Sequence, residues 1–282
     1  MSGPSPELAA RIEAAKGAVL AETTLLHREF GRAESRWKGD GTRVTAVDVA
    51  ISENIFRSLG ARFPEDQMFS EELSESDGPV AVESRFSWVL DPIDGTNNFA
   101  LGIPHCAISL GIMERGEPAY GVVYDFSRRL LMHGGPGLGM FDGDRPARVS
   151  AEEHSPETLI GFHSPSDKRQ VPAADAVLSH FKIRGLGSAT LHLAYVAAGM
   201  FGGAVDFNVK IWDLAAAIAL LRGAGGEIIF MNGAQLPMKT FDLRMARIIY
   251  VAGSPAMALR LAGLVAARQG LRRGTAGGGR GR

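Results

Sequence analysis

Trp88-Val89-Leu90-Asp91-Pro92-Ile93-Asp94-Gly95-Thr96-Asn97-Asn98-Phe99 joins an apolar run to a turn carrying two carboxylates three residues apart. Residues 86–90 read as a buried strand that delivers Asp91 at its C-terminal end, where Pro92 is expected to stop the ladder. Asp94 then converges with Asp91 on one point. Two hard oxygen ligands so close suit Mg2+, Mn2+ or Ca2+ better than a soft metal. Asp94-Gly95-Thr96 can open a helix whose free N–H groups and positive dipole end receive an anion beside that metal, which points to phosphate. Taken alone, D-P-x-D-G-T is equally an ordinary turn with a helix cap.

Other acids shift the balance. Glu71-Glu72 follows the short strand 67–70, and adjacent acids at a strand end point different ways, so at least one can face a site. Asp213 follows Trp212 at the start of an Ala/Leu-rich helix, where capping alone would also account for it. Asp48 lies beside Thr45 near the start of another helix. No cation stands near these acids in the sequence, so the five are expected to repel one another until metal binds.

Outward from this centre, residues 6–30 and 45–59 have the apolar spacing of amphipathic helices, the second closed by Gly60 and Pro64. Strands 67–70, 86–90, 107–113 and 119–124 read as an antiparallel meander, followed by Gly-rich turns over 134–145. The pattern then alternates: strand 158–162, helices 167–181 and 188–200, strand 203–207, helix 213–223, strands 226–230 and 246–252, helix 255–268. The fold class is α/β, with an α+β subdomain over residues 1–145 carrying most metal ligands and an α/β subdomain over 146–268 completing the site. Residues 269–282 read as a disordered Arg/Gly tail.

The 282 residues suffice for about two domains or one bilobal unit. The longest apolar run, 214–221, is too short for a membrane span, and no secretory signal is visible at the N-terminus. Cys106 is the single cysteine, which excludes an internal disulfide and a Cys-based zinc site and fits a reducing cytoplasm. The near-neutral charge of −1 hides an asymmetry, because residues 268–282 hold five Arg and no acid and leave −6 on the rest. No histidine pair has metal-ligand spacing, so His105 and His163 read as structural. Trp212 reads as packing that positions Asp213.

V-T-A-V-D (44–48), S-E-E (70–72), D-P-I-D-G-T-N-N-F (91–99), G-S-A (187–189) and W-D-L-A-A-A (212–217) together resemble the inositol monophosphatase family over about residues 8–265. These are Mg2+-dependent phosphatases of the lithium-sensitive superfamily that includes fructose-1,6-bisphosphatase. The resemblance implies a layered αβαβα sandwich, a homodimer, and a site between the two halves. It implies that Glu71, Asp91 and the Ile93 carbonyl hold one Mg2+, that Asp91, Asp94 and Asp213 hold a second, and that Glu71 reaches a third through water, with Mn2+ as a substitute. Asp48 and Thr96, with Glu71, would carry the catalytic roles in an in-line attack of metal-activated water. The amides of Gly95 and Thr96 would bind phosphate.

For the alcohol half, the resemblance implies contacts from Asp94, Gly187, Ser188, Ala189 and Asp206. Asp206 stands where inositol-specific members carry the longer Glu, which favours a small polyol or sugar phosphate and leaves myo-inositol itself open. The D-G-T turn 40–42 also occurs in members acting on histidinol phosphate, the nearest alternative. A 3′,5′-bisphosphonucleotide is disfavoured, since no basic cluster surrounds Gly187. An alternative of another class is an RNA-associated partner that binds nucleic acid weakly through the Arg/Gly tail.

Overall fold

The computed structural model describes residues 3–39, 42–72, 78–152, 154–163 and 167–270, with side chains up to residue 267. Asp40 and Gly41 of the D-G-T turn, and the tail beyond residue 270, lie outside the described residues.

Helix α1 (Pro6–Glu29) starts on Ser5, whose hydroxyl accepts the Leu8 N–H at 3.2 Å, with Pro6 in the first turn, where a missing N–H costs nothing. Strands β1 (Ser35–Trp37) and β2 (Arg43–Thr45) form an antiparallel ribbon absent from the sequence reading. Helix α2 (Ala46–Arg62) opens on a capping box, in which Thr45 accepts the Val47 and Asp48 N–H groups and Asp48 accepts the Thr45 N–H. It runs past Gly60.

Strands β3 (Gln67–Ser70), β4 (Val80–Ala81) and β5 (Phe86–Asp94) lead into helix α3 (Thr96–Leu101). Then come β6 (Ala107–Glu114), β7 (Glu117–Asp125), β8 (Leu130–Gly135), β9 (Gly139–Asp142) and β10 (Arg145–Ala147). Seven of these make one sheet in the order β10-β9-β8-β7-β6-β5-β3. Three expectations are corrected here. Strand β3 pairs parallel with β5, so the sheet is not a pure antiparallel meander. The Gly-rich stretch 134–145 folds back as hairpins that extend the sheet through β8, β9 and β10. Pro92 does not stop the ladder: β5 continues to Asp94 through a bulge, because Asp91 pairs with Ser109 but Asp94 with Ala107. The proline's missing N–H falls inside that bulge, where no ladder bond is required.

In the second half, β11 (Leu159–Phe162) precedes a 3-10 turn (Lys168–Gln170) and a shorter helix than expected, α4 (Val171–Leu178). The elements β12 (Lys182–Arg184), α5 (Ala189–Ala197), β13 (Gly203–Val209), α6 (Ile211–Gly223), β14 (Glu227–Phe230), β15 (Thr240–Phe241), β16 (Ile248–Gly253) and α7 (Pro255–Gly270) follow. The second sheet has the order β12-β11-β13-β16-β14, and β15 pairs with β4 of the first half.

These elements stack as an αβαβα sandwich, the architecture expected. Helices α1 and α2 cover the outer face of the seven-stranded sheet around Leu26, Ile51, Trp88 and Phe99. Helices α4 and α7 cover the far face of the second sheet around Val177, Val205, Val251 and Leu261. Between the sheets lie α5 and α6, in one core that joins Val89 and Val123 of the first sheet to Ala204 and Ala252 of the second. The run 214–221 is wholly buried, as a helix that is apolar all round must be. Among the described residues, no helix is long and apolar enough to cross a membrane.

One close approach fixes the height of α6 on the first sheet. Gly111 and Gly121 face each other across β6 and β7, and a Cβ at Gly111 would lie 2.9 Å from the Ala215 Cβ, while one at Gly121 would strike the Ala216 carbonyl. Gly121→Ala is therefore expected to cost roughly 1–3 kcal/mol by overpacking. Calorimetry should show a fall in melting temperature of about 2–4 °C per kcal/mol.

Candidate metal centre and cleft

The end of β5 presents Asp91, Ile93 and Asp94, the end of β3 presents Glu71, and the first turn of α6 presents Asp213. Helix α6 begins at Ile211, so Asp213 is its third residue, and its Oδ2 accepts the Lys210 N–H at 2.7 Å. One carboxylate oxygen each from Glu71, Asp91 and Asp213 lie within 4.8 Å of one another. Asp91 is 2% exposed, and its Oδ1 accepts the Ile93 N–H at 3.1 Å. Burial, and then the charges of Glu71, Asp94 and Asp213, hold the Asp91 carboxyl well above its ordinary pKa. Burial and the charges of Asp94 and Glu71 do the same for Asp213. Asp94 is raised by burial against the hydrogen bonds that its Oδ2 accepts from Ser188 Oγ and Thr190 N, both at 2.6 Å. A buried all-oxygen set kept apart by its own charge fits a hard divalent cation.

A cation does stand beside this cluster. Lys38, which follows β1, places Nζ 2.6 Å from Glu71 Oε1 and 2.5 Å from Glu72 Oε1. Glu72 is thereby turned to the lysine, although burial and Glu71 still push its pKa up to about 7. Lys38 is 33 residues from Glu71 in the chain, so only the folding of the ribbon brings the two together.

Asp48 is 1% exposed. Its Oδ2 accepts from Thr45 N at 2.7 Å and Thr45 Oγ1 at 2.6 Å, and Oδ1 lies 3.1 Å from the Thr96 hydroxyl. Burial pushes its pKa up to about 6. Thr96 Oγ1 is also 2.8 Å from the Ile93 carbonyl. Gly95 has φ +89°, and a Cβ there would meet the His105 carbonyl at 2.8 Å, so the turn needs glycine.

These groups border a cleft of about 430 Å3 that Glu71, Asp91, Asp94, Gly95, Thr96, Gly187, Ala189 and Asp213 line. Ser188 and Asp206 are not in its wall. The Ser188 hydroxyl donates to Asp94 and accepts the Leu191 N–H at the start of α5. Asp206 is wholly buried, 3.3 Å from the Nδ1 of His163, and it is His163 that reaches the cleft. Trp37, Arg43, Asn208 and Arg247 also line it. None of these was singled out in the sequence, since each sits at an element end with no local motif. Among the described residues, the buried Nδ1 atoms of His105 and of His163 have no hydrogen-bond partner.

Carboxylates gathered from two strand ends and a helix start beside a polar cleft make a candidate divalent-metal centre. The model of the inositol monophosphatase family matches residues 4–269. An inositol-1-monophosphatase from Mesorhizobium japonicum is 34% identical over 219 residues, 74% of this chain and 81% of that protein. Human inositol monophosphatase 2 is 32% identical over 228 residues, covering 78% and 77%. The protein named Nus factor SuhB from Xylella fastidiosa is 34% identical over 198 residues, covering 68% and 70%. Among solved structures, the extragenic suppressor protein suhB from Bartonella henselae superposes with a TM-score of 0.79 at 29% identity, over 91% of this chain and 98% of that one. The chain belongs to the inositol monophosphatase family, and it is a phosphoric monoester hydrolase.

Proposed function

We propose that the protein is a Mg2+-dependent phosphomonoesterase acting on a small polyol or sugar phosphate similar to inositol 1-phosphate, by in-line attack of water. The observation that carries this reading is the convergence of Glu71, Asp91 and Asp213 within 4.8 Å at the wall of a cleft that also holds Thr96. Glu71, Asp91 and the Ile93 carbonyl would hold one Mg2+ and Asp91, Asp94 and Asp213 another, with Mn2+ able to replace it. Bound there, the metal lowers the pKa of water, neutralises phosphate charge and stabilises the leaving oxygen. The chain's own residues do the rest. Thr45 occupies one Asp48 oxygen and leaves the other to the Thr96 hydroxyl, so a water bonded to Thr96 can pass its proton toward Asp48 as it attacks phosphorus. The P–O bond to the alcohol breaks, and the departing oxygen takes a proton from solvent. Gly95 and Thr96 amides would orient the phosphate. Ser188 and Thr190 pin Asp94 in one orientation.

The test is phosphate release from inositol 1-phosphate and histidinol phosphate with and without Mg2+. Release from the inositol ester that stops when Mg2+ is chelated supports the reading, and preferential release from histidinol phosphate would shift it to the amino-alcohol substrate. We also propose a homodimer, to be checked by sedimentation.

The name Nus factor SuhB among the relatives favours a second reading, a nucleic-acid-associated partner acting through the Arg-rich segment 268–282. Deleting residues 269–282 is expected to leave kcat/KM within about twofold, because the segment supplies none of the proposed metal ligands or proton-transfer residues. Loss of turnover in the truncated chain would contradict this.

A further inference from the structure

The cleft carries charge of both signs. Besides the acids, three basic side chains line it that the reaction above does not use: Arg43 of β2, Arg247 just before β16, and His163 just after β11. Arg43 donates to Ser35 Oγ at 2.8 Å and lays its guanidinium over the Trp37 ring, 4.3 Å from the centroid. Arg247 donates to the Asn208 carbonyl at 3.3 Å. Among the described residues neither guanidinium has a carboxylate partner. His163 differs, because its Nδ1 lies at ion-pair distance, 3.3 Å, from Asp206 Oδ2, though without hydrogen-bond alignment, and the other Asp206 oxygen accepts the Asn208 N–H at 2.8 Å. With Nδ1 turned inward, Nε2 is the ring nitrogen left to donate into the cleft. The Asp206 carboxylate also raises the His163 pKa against the effect of burial, which favours the imidazolium.

We infer that His163, with Arg43 and Arg247, recognises a second anionic group on the alcohol half of the substrate. The substrate class is then a phosphomonoester that bears, besides the phosphate to be cleaved, a carboxylate or a further phosphate. This rests on the reading of the cleft as a phosphomonoesterase site and replaces the neutral polyol half proposed above with an anionic one. A neutral alcohol half would close the three cations off from water without a partner, and an amino alcohol would meet like charge. An anion would accept from both guanidinium forks and from Nε2. Asp206 acts through His163 and is a positioning residue.

The test uses the full chain with Mg2+ and three esters of one size: 2-phosphoglycolate, ethylene glycol monophosphate and phosphoethanolamine. Fructose 1,6-bisphosphate against fructose 1-phosphate separates a phosphate partner from a carboxylate. The expected kcat/KM order is anionic, then neutral, then cationic, with at least about tenfold between the first two. His163→Gln and Arg247→Gln should each shrink that ratio about fivefold or more. Asp206→Asn, which keeps the size and removes the charge, should shrink it in the same direction through a rise in KM for the anionic ester, a split that a purely structural role would not produce. The wild-type series does not depend on any variant folding. A series flat with respect to charge, or a ratio untouched in all three variants, overturns the inference and leaves the phosphatase reading standing. Absence of Mg2+-dependent hydrolysis for every ester overturns both.

Discussion

Replacing Asp91 by Asn is expected to lower Mg2+-dependent phosphate release by about three orders of magnitude or more, because it removes a carboxylate shared by both proposed metal positions. The same change is expected to raise the melting temperature of the metal-stripped protein near neutral pH. Asp91 is buried among Glu71, Asp94 and Asp213, and its charged form is the one the site disfavours. Asparagine keeps an oxygen for the Ile93 N–H, which Asp91 Oδ1 accepts at 3.1 Å, and it removes one repelling charge. Wild type should gain about 2.7 kcal/mol from Mg2+ at a hundred times its Kd. That is roughly 5–10 °C, and the variant should gain little of it. Thermal melts with Mg2+ and with chelator, beside a turnover assay, check both halves. Full turnover, or an undiminished Mg2+ shift, in Asp91→Asn would refute the role given to this residue.

The second large effect is on pH. Burial raises the Asp48 pKa to about 6, and burial with Glu71 raises that of Glu72 to about 7. Asp91, Asp94 and Asp213 are displaced in the same direction. A carboxyl whose pKa is higher folded than unfolded binds its proton more tightly in the native state. Its stabilisation is complete below the unfolded value near 4 and is lost as pH rises through the folded value. Asp48 alone, moved about two pKa units from its ordinary range, accounts for roughly 3 kcal/mol. Metal-stripped protein should therefore lose melting temperature between about pH 4 and pH 7.5. Mg2+ competes with those protons, so its stabilising effect should grow over the same interval. A stripped protein whose stability rises through that window would show that the acids are not buried together.

Much of this site was legible because its chemistry is local. Asp91 and Asp94 announce themselves by spacing, Asp48 by its place beside Thr45 near the start of a helix, and Asp213 by its place at the head of an apolar helix. The alternation after residue 157 likewise follows from apolar periodicity, so the order of the second half was readable. The parts that were hidden depend on partners far away in the chain. Strands β1 and β2 are three residues each and carry no alternation, yet their ribbon brings Trp37 and Arg43 to the cleft and Lys38 to Glu71 and Glu72. The Gly-rich stretch 134–145 lacks the side chains that mark strands, yet its backbone pairs across β8, β9 and β10. Asp206 was expected as a substrate contact from the family resemblance alone. Only the packing of β11 against β13 shows that His163 stands between Asp206 and the cleft. Ser188, read the same way, spends its hydroxyl on Asp94.

The central claim is that Glu71, Asp91 and Asp213 form a divalent-metal site at which phosphate is bound. An anomalous difference map from crystals grown with Mn2+ and inorganic phosphate tests it most directly. The account predicts a strong peak among those three carboxylates, with phosphate density beside Gly95 and Thr96. A map with Mn2+ peaks elsewhere and none at that cluster would contradict it.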